Sequence, residues 1–201
     1  MSRWAPDARE RLEDAALDLF VENGYEQTTV AQIADRAGLN RATFFRHFSD
    51  KREILFAGEG KLAERFAAGI RDAAPNATLA DSLEGALATA ATLMTREQRR
   101  MAVRRRAVAA ASVEVQERGL LKQRTVAAAM VAALRERGTD ELTARLGAEL
   151  VLLAFGIALE RWLASDEAEP FPPYAAEALT ALQARIPDLG SPASSLVRGA
   201  P

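Results

Sequence analysis

The chain has 201 residues, 49% of them hydrophobic and 27% charged, a balance that suits a soluble globular protein and is too apolar for disorder. With no cysteine and a single histidine, His47, it offers no disulfide, no zinc–thiolate site, no cysteine nucleophile and no multi-histidine metal site, and it points to no cofactor. The net charge is only −2, so bulk electrostatics do not make it a polyanion binder, and the distribution of charge matters more.

The opening stretch, "SRWAPDARERLED" after Met1, has no apolar run resembling a signal peptide. The longest apolar run, Leu150 to Leu159, is ten residues, about half of the roughly 20 that a membrane-spanning helix needs. A soluble, cytoplasmic protein is expected. Alanine is abundant and period-two runs of Val, Ile and Thr are missing, so the expected fold class is all-α.

In chain order, a first helix is expected from Asp7 to Glu22, with Leu12, Ala15, Ala16, Leu19 and Phe20 on its apolar stripe and Asn23–Gly24 as its stop. Thr29 with Gln32 three residues later is a capping-box pattern that starts a short helix near Val30, and Gly38 ends it. Asn40 caps a second short helix, Arg41 to His47. "SDK" at 49–51 opens a longer amphipathic helix through Leu55, Leu62, Phe66 and Ile70. "AAPNAT" (73–78) breaks the chain. Helical stretches are then expected over 79–95, 97–112, 114–137, 140–165 and 174–186, with "EPFPPY" (169–174) as a break. The end, "PDLGSPASSLVRGAP", has the composition of a frayed tail. The domain division that results is 1–52, 53–187 and a flexible tail, 188–201.

Two short helices joined by "AGLN" make a helix-turn-helix, in which neither helix is stable alone. Val30, Ile33, Ala34, Ala37, Leu39, Phe44 and Phe48 are expected to pack with the first helix, and Gly38 supplies the left-handed turn residue. Phe44 and Phe48 are four apart and belong inside. Arg41, Ala42, Phe45 and Arg46 are left on other faces. Between Arg36 and Arg52 the chain holds four Arg and one Lys against Asp50 alone, while the first 35 residues hold three Arg against eight acids. A helix presented this way suits the DNA major groove. Arg41 can make a bidentate contact to guanine, and Ala42 or the Thr43 methyl can touch a thymine methyl. Thr29, His47 and Lys51 suit phosphate oxygens.

"TTVAQIADRAGLNRATFFRHFSDKREIL" resembles the DNA-binding region of TetR-family (TetR/AcrR) transcriptional regulators. Thr29, Ala37, Gly38, Asn40, Thr43, His47, Phe48 and Lys51 carry the likeness, which covers Arg9 to about Leu55. One position departs: the family commonly has Tyr, with a hydroxyl for phosphate, where Phe45 stands. The resemblance implies a three-helix DNA-binding domain followed by a larger helical ligand-binding and dimerisation domain. It also implies a homodimer whose last two long helices form a four-helix bundle. The DNA-binding residues expected on both grounds are Thr29, Gln32, Asn40, Arg41, Ala42, Thr43, Phe45, Arg46, His47 and Lys51.

The second helical segment is less informative. "REQRRMAVRRRA" (96–107) carries six Arg and one Glu, and consecutive Arg104, Arg105 and Arg106 cannot share one helix face. An interdomain salt bridge and an anionic ligand are both open to it. Leu150 to Leu159 is apolar on every side and calls for cover all round, which a partner subunit would supply. Leu87, Met94, Met101, Arg105, Met130, Phe155 and Trp162 are the candidate residues for a small, largely apolar ligand, although core packing explains the apolar ones equally well. No catalytic constellation accompanies His47, so no enzyme is expected. The function expected is a sequence-specific transcriptional regulator, a homodimeric repressor released from a palindromic operator by a small molecule. The alternative is a helical small-molecule-binding protein or enzyme with a vestigial helix-turn-helix.

Overall fold

The first helix begins where a carboxylate can take up an orphan N–H. In this computed structural model, which describes residues 7–56, 58–165 and 169–189, Asp7 accepts from Arg9 N and α1 runs Ala8–Asn23. Gly24, at φ 86°, ends it. The Thr28 hydroxyl, buried, donates to Leu19 O and Gly24 O and fastens the loop that follows. α2 (Val30–Arg36) opens on the expected Thr29–Gln32 capping box. Its end is a left-handed glycine turn: Gly38 takes φ 62° and Leu39 N reaches back to Ala34 O. α3 (Arg41–His47) starts on Asn40, whose side chain accepts from Thr43 N at 2.8 Å.

The next expectation fails. Instead of one long helix from 50 to 70 there are two, α4 (Lys51–Leu55) and α5 (Glu59–Arg71), with Gly58 at φ 94° between them. Ile54 and Leu55 pack into the N-terminal core, whereas Ala63, Phe66 and Ile70 pack into a second one. The bend lets one segment serve both, and only glycine takes that φ without strain.

α6 (Leu79–Ala91) and α7 (Arg96–Ala111) follow, the former shorter than expected because Thr95 caps the latter. Ser112 then closes α7 and caps α8 (Val113–Glu136). α9 (Glu141–Ala164) opens on Asp140. α10 (Phe171–Gln183) starts three residues before its expected position of 174. Pro172 and Pro173 fall in its first turn, where the missing N–H groups have no intrahelical partner to lose. α11 (Ile186–Leu189) is a short addition. The rest of the expected tail, 190–201, lies outside the described residues, as does 1–6.

The second core is built from α5, α6, α8, α9 and α10. An aromatic chain runs through it, Phe66 to Phe155 to Phe171 to Trp162, with successive ring centroids 5.2–5.4 Å apart. α5 and α6 approach so closely that a Cβ on Gly69 would sit 2.2 Å from Gly85 O. α9 is the one described helix long and apolar enough to cross a membrane by length and composition. It packs one side against α8, α10 and α6 and leaves Leu142, Leu146 and Leu153 exposed along the other.

Candidate nucleic-acid interface

The N-terminal core decides which way α3 faces. Leu12, Ala16, Leu19 and Phe20 of α1, Ile33 of α2, and Phe44 and Phe48 at α3 are all buried in one cluster. With Phe44 fully buried and Phe48 1% exposed, the residues a turn away are forced outward. Arg41, Ala42, Phe45 and Arg46 are all exposed, and their i, i+1, i+4, i+5 spacing makes one continuous face. Thr43 and His47 flank it, half-buried. The ring of Phe44 packs against Phe45 edge-on, centroids 5.4 Å apart at 79°.

The turn that sets α3 against α2 is braced by an arginine that sequence reasoning missed. Arg11 Nη2 donates to Ala37 O, and a Cβ on Gly38 would meet the same nitrogen at 2.9 Å. Arg9, also unanticipated, lies 4.7 Å over the Phe48 ring and pairs with Glu13. Burial pushes the Glu13 carboxyl up, and the nearby charges of Arg105 and Arg9 only partly offset it.

The basic patch is smaller than its composition suggests. Arg36 makes a two-pronged pair with Glu22 at 3.1 and 2.7 Å. Arg52 is held by Asp50 and reaches Glu114. Burial raises the Asp50 carboxyl, yet hydrogen bonds from Arg52 and from the N–H groups of Glu53 and Arg52 outweigh that and hold it low. Arg41 and Arg46 remain as the α3 cations with no hydrogen-bonding or ionic partner among the described residues.

Lys51 departs from expectation. Its ammonium donates to Tyr25 O at 2.6 Å, Thr28 O at 3.1 Å and Glu26 O at 3.2 Å, and lies 4.3 Å over the Tyr25 ring. All three donors serve the α1–α2 loop rather than a phosphate. Thr29 and Gln32 are exposed but satisfy each other in the capping box. At His47 the Nε2 atom is buried without a hydrogen-bond partner among the described residues.

The arginine cluster of α7 has acquired partners. Arg104 reaches Asp18 and Asp14 of α1, each at 2.6 Å, and Arg105 reaches Glu13 at 3.6 Å. Arg106 pairs with Glu160 of α9. Arg99, 7% exposed, donates to the carbonyls of Trp162, Leu163 and Ser165. A cation on the orphan carbonyls at the C-terminus of α9 is where the helix dipole favours it. Met101 and Val108 of α7 belong to the N-terminal core, so α7 joins α1 to α9.

Five of the seven ligand candidates gather at one core and two do not. Leu87, Met130, Phe155 and Trp162 are packed in the second core, with Met94 against it. Met101 lies in the other core, and Arg105 pairs with Glu13 of α1, the interdomain salt bridge that was one of the two roles open to this arginine cluster. A surface hollow of about 370 Å³ between α6 and α10 touches Leu87 alone of the seven.

Comparison with known proteins bears on this geometry. Residues 12–57 match the family model "Bacterial regulatory proteins, tetR family". The transcriptional regulator TcmR of Streptomyces glaucescens is 42% identical over 62 residues, 31% of this chain and 27% of that protein. The match therefore spans about a quarter of the length of that curated relative. Two solved structures share the fold over most of the chain. SmeT of Stenotrophomonas maltophilia, in a triclosan complex, has a TM-score of 0.60 at 19% identity, covering 88% of this chain and 90% of its own. FadR of Bacillus subtilis, in complex with stearoyl-CoA, has a TM-score of 0.57 at 20% identity, covering 86% and 96%.

Proposed function

Since residues 12–57 match the model of the tetR family of bacterial regulatory proteins, we propose that the chain is a member of that family, a sequence-specific DNA-binding transcriptional regulator acting as a homodimer. The observation that carries this reading is the outward face of α3. Arg41, Ala42, Phe45 and Arg46 stand exposed on a short helix fixed from behind by Phe44 and Phe48. Such a face can enter a major groove, with Arg41 set for a guanine edge and phosphate contacts holding the register.

The dimer reading is supported by α9. Leu142, Leu146 and Leu153 form an exposed apolar stripe on a helix whose other side is covered by its own chain, and a second copy across α9 and α10 would bury it. Two recognition helices in successive major grooves then require a near-palindromic operator. A small, largely apolar effector in the second helical segment would release the DNA. SmeT is described as the repressor of a multidrug efflux pump and has been seen with triclosan, and FadR with stearoyl-CoA; both lend that reading its chemistry. Coupling would run along α7, which touches both cores, as a shift of population between two helix separations. The cytoplasm is the compartment that fits a regulator of transcription.

The test is selection from a random-sequence DNA library by the full chain at low salt. Enrichment of a near-palindrome with half-sites about one helical turn apart is the expected result. Failure of the folded protein to enrich any sequence would end the reading. A sedimentation mass near 21.7 kDa at micromolar concentration would end the dimer.

A further inference from the structure

The exposed half of Phe45 is the feature that the phosphate and guanine contacts leave without a use. Its side chain is 51% exposed, although a phenylalanine gains most when covered. It stands at the centre of the outward face of α3, three residues after Ala42 and four after Arg41, so its ring and the Ala42 methyl share one stripe. Arg41 and Arg46 flank this apolar patch with positive charge. The edge-on contact with fully buried Phe44 fixes the ring before any partner arrives, so little rotamer freedom is lost on docking.

A ring without a hydroxyl can neither donate to nor accept from a phosphate oxygen. The apolar feature that a major groove displays is the 5-methyl group of a pyrimidine. Resting on the DNA-binding reading above, we propose that Phe45, with Ala42 beside it, is a specificity-determining residue that reads a pyrimidine 5-methyl group in each half-site. Thymine supplies that group in unmodified DNA, and 5-methylcytosine presents the same methyl on a different base pair. Arg41 and Arg46 hold the helix down while the ring covers the methyl and excludes water from it.

The experiment starts from the site selected by the wild-type chain and replaces each thymine in turn by deoxyuridine, which lacks only the methyl. One position per half-site should weaken wild-type binding about fourfold, and substitution in both half-sites about fifteenfold, as expected for losing one buried methyl at each. Phe45→Ala should bind the thymine and deoxyuridine sites equally. That variant gives up the edge contact with Phe44 but should still unfold cooperatively and well above the binding temperature, which separates loss of reading from loss of fold. Phe45→Tyr, which keeps the ring, should keep the deoxyuridine penalty. Where cytosine replaces the sensitive thymine, its 5-methyl form should bind more tightly than plain cytosine if the methyl alone is read. Equal binding of the two cytosine forms would restrict the contact to thymine and overturn the methyl-only form of the proposal. If no deoxyuridine substitution is felt, or if Phe45→Ala retains the penalty, Phe45 does not read a methyl, even though the parent site is bound. If the folded chain binds no site at all, this inference and the DNA-binding reading fall together.

Discussion

Arg104 Nη1 lies 2.6 Å from Asp18 Oδ1, which ties the middle of α7 to the outer face of α1. The same guanidinium reaches Asp14, one turn away, through its other terminal nitrogen. Asp14 and Asp18 are four apart and so share a face, and a planar fork engages each through its own nitrogen, a spread that the single nitrogen of an ammonium lacks. Arg104→Ala should therefore cost about 1 kcal/mol, since the carboxylates are half-exposed and partly screened. Arg104→Lys should not restore it. A double-mutant cycle with Asp18→Ala, read by thermal unfolding, should show coupling, and strict additivity would mean the contact contributes nothing.

Lys51→Met removes three hydrogen bonds to the α1–α2 loop and a cation from the Tyr25 ring. It should lower stability by about 1–3 kcal/mol in the absence of DNA. An unchanged unfolding midpoint, with a flatter salt dependence of DNA binding, would instead return Lys51 to the phosphate role that its sequence position suggests.

Tyr25 presents a buried hydroxyl with no hydrogen-bond partner among the described residues. Burial, reinforced by the charge of Glu114, pushes its pKa from the ordinary 10.0 up to about 12. Between those values the folded chain keeps a proton that the unfolded chain has lost. Stability from this group is therefore level below pH 10.0 and falls as pH rises towards about 12. Tyr25→Phe should be neutral or stabilising by up to about 1 kcal/mol at neutral pH, and it should lose less stability than wild type across that alkaline window. Urea unfolding at pH 8 and at pH 11 gives both readings. A clear loss at pH 8 would mean that the hydroxyl is satisfied.

Gly69→Ala places a methyl 2.2 Å from Gly85 O, where two helix backbones meet and nothing flexible can yield. A loss of about 1–3 kcal/mol is expected. Gly60, in the same helix with open space around it, is the control. Gly60→Ala should be neutral or stabilising by about 0.5–1 kcal/mol. Equal effects at the two positions would mean that helix propensity, not the close approach of α5 and α6, governs Gly69.

What was legible in the sequence was local. Thr29 and Asn40 cap their helices because their partners, Gln32 and Thr43, lie three residues on, and Phe44 and Phe48 face inward because four residues make one turn. Gly58, with Gly60 two residues on, was a break signal that the apolar spacing of Leu55, Leu62, Phe66 and Ile70 masked. Its bend is imposed by two cores pulling on one segment. Lys51 reaches carbonyls 23–26 residues back, a direction no local pattern encodes. The arginines of α7 could be seen not to share a face, and the four-residue spacing of Asp14 and Asp18 was the available sign of where Arg104 goes. Five of the ligand candidates fell in one core, where Met and aromatic side chains at helical spacing describe close packing as well as a cavity.

The claim on which the account turns is that the outward face of α3 reads base edges, and Arg41 tests it most directly. Wild type and Arg41→Ala are titrated by fluorescence anisotropy against the selected site and against random DNA of equal length at one salt concentration. Arg41 has no partner within the described fold, so the substitution should leave the unfolding temperature unchanged. Binding to the selected site should weaken by about 1–3 kcal/mol while random DNA is bound nearly as before. An equal loss on both DNAs would make Arg41 a phosphate contact, and no loss on either would remove this face from the interface.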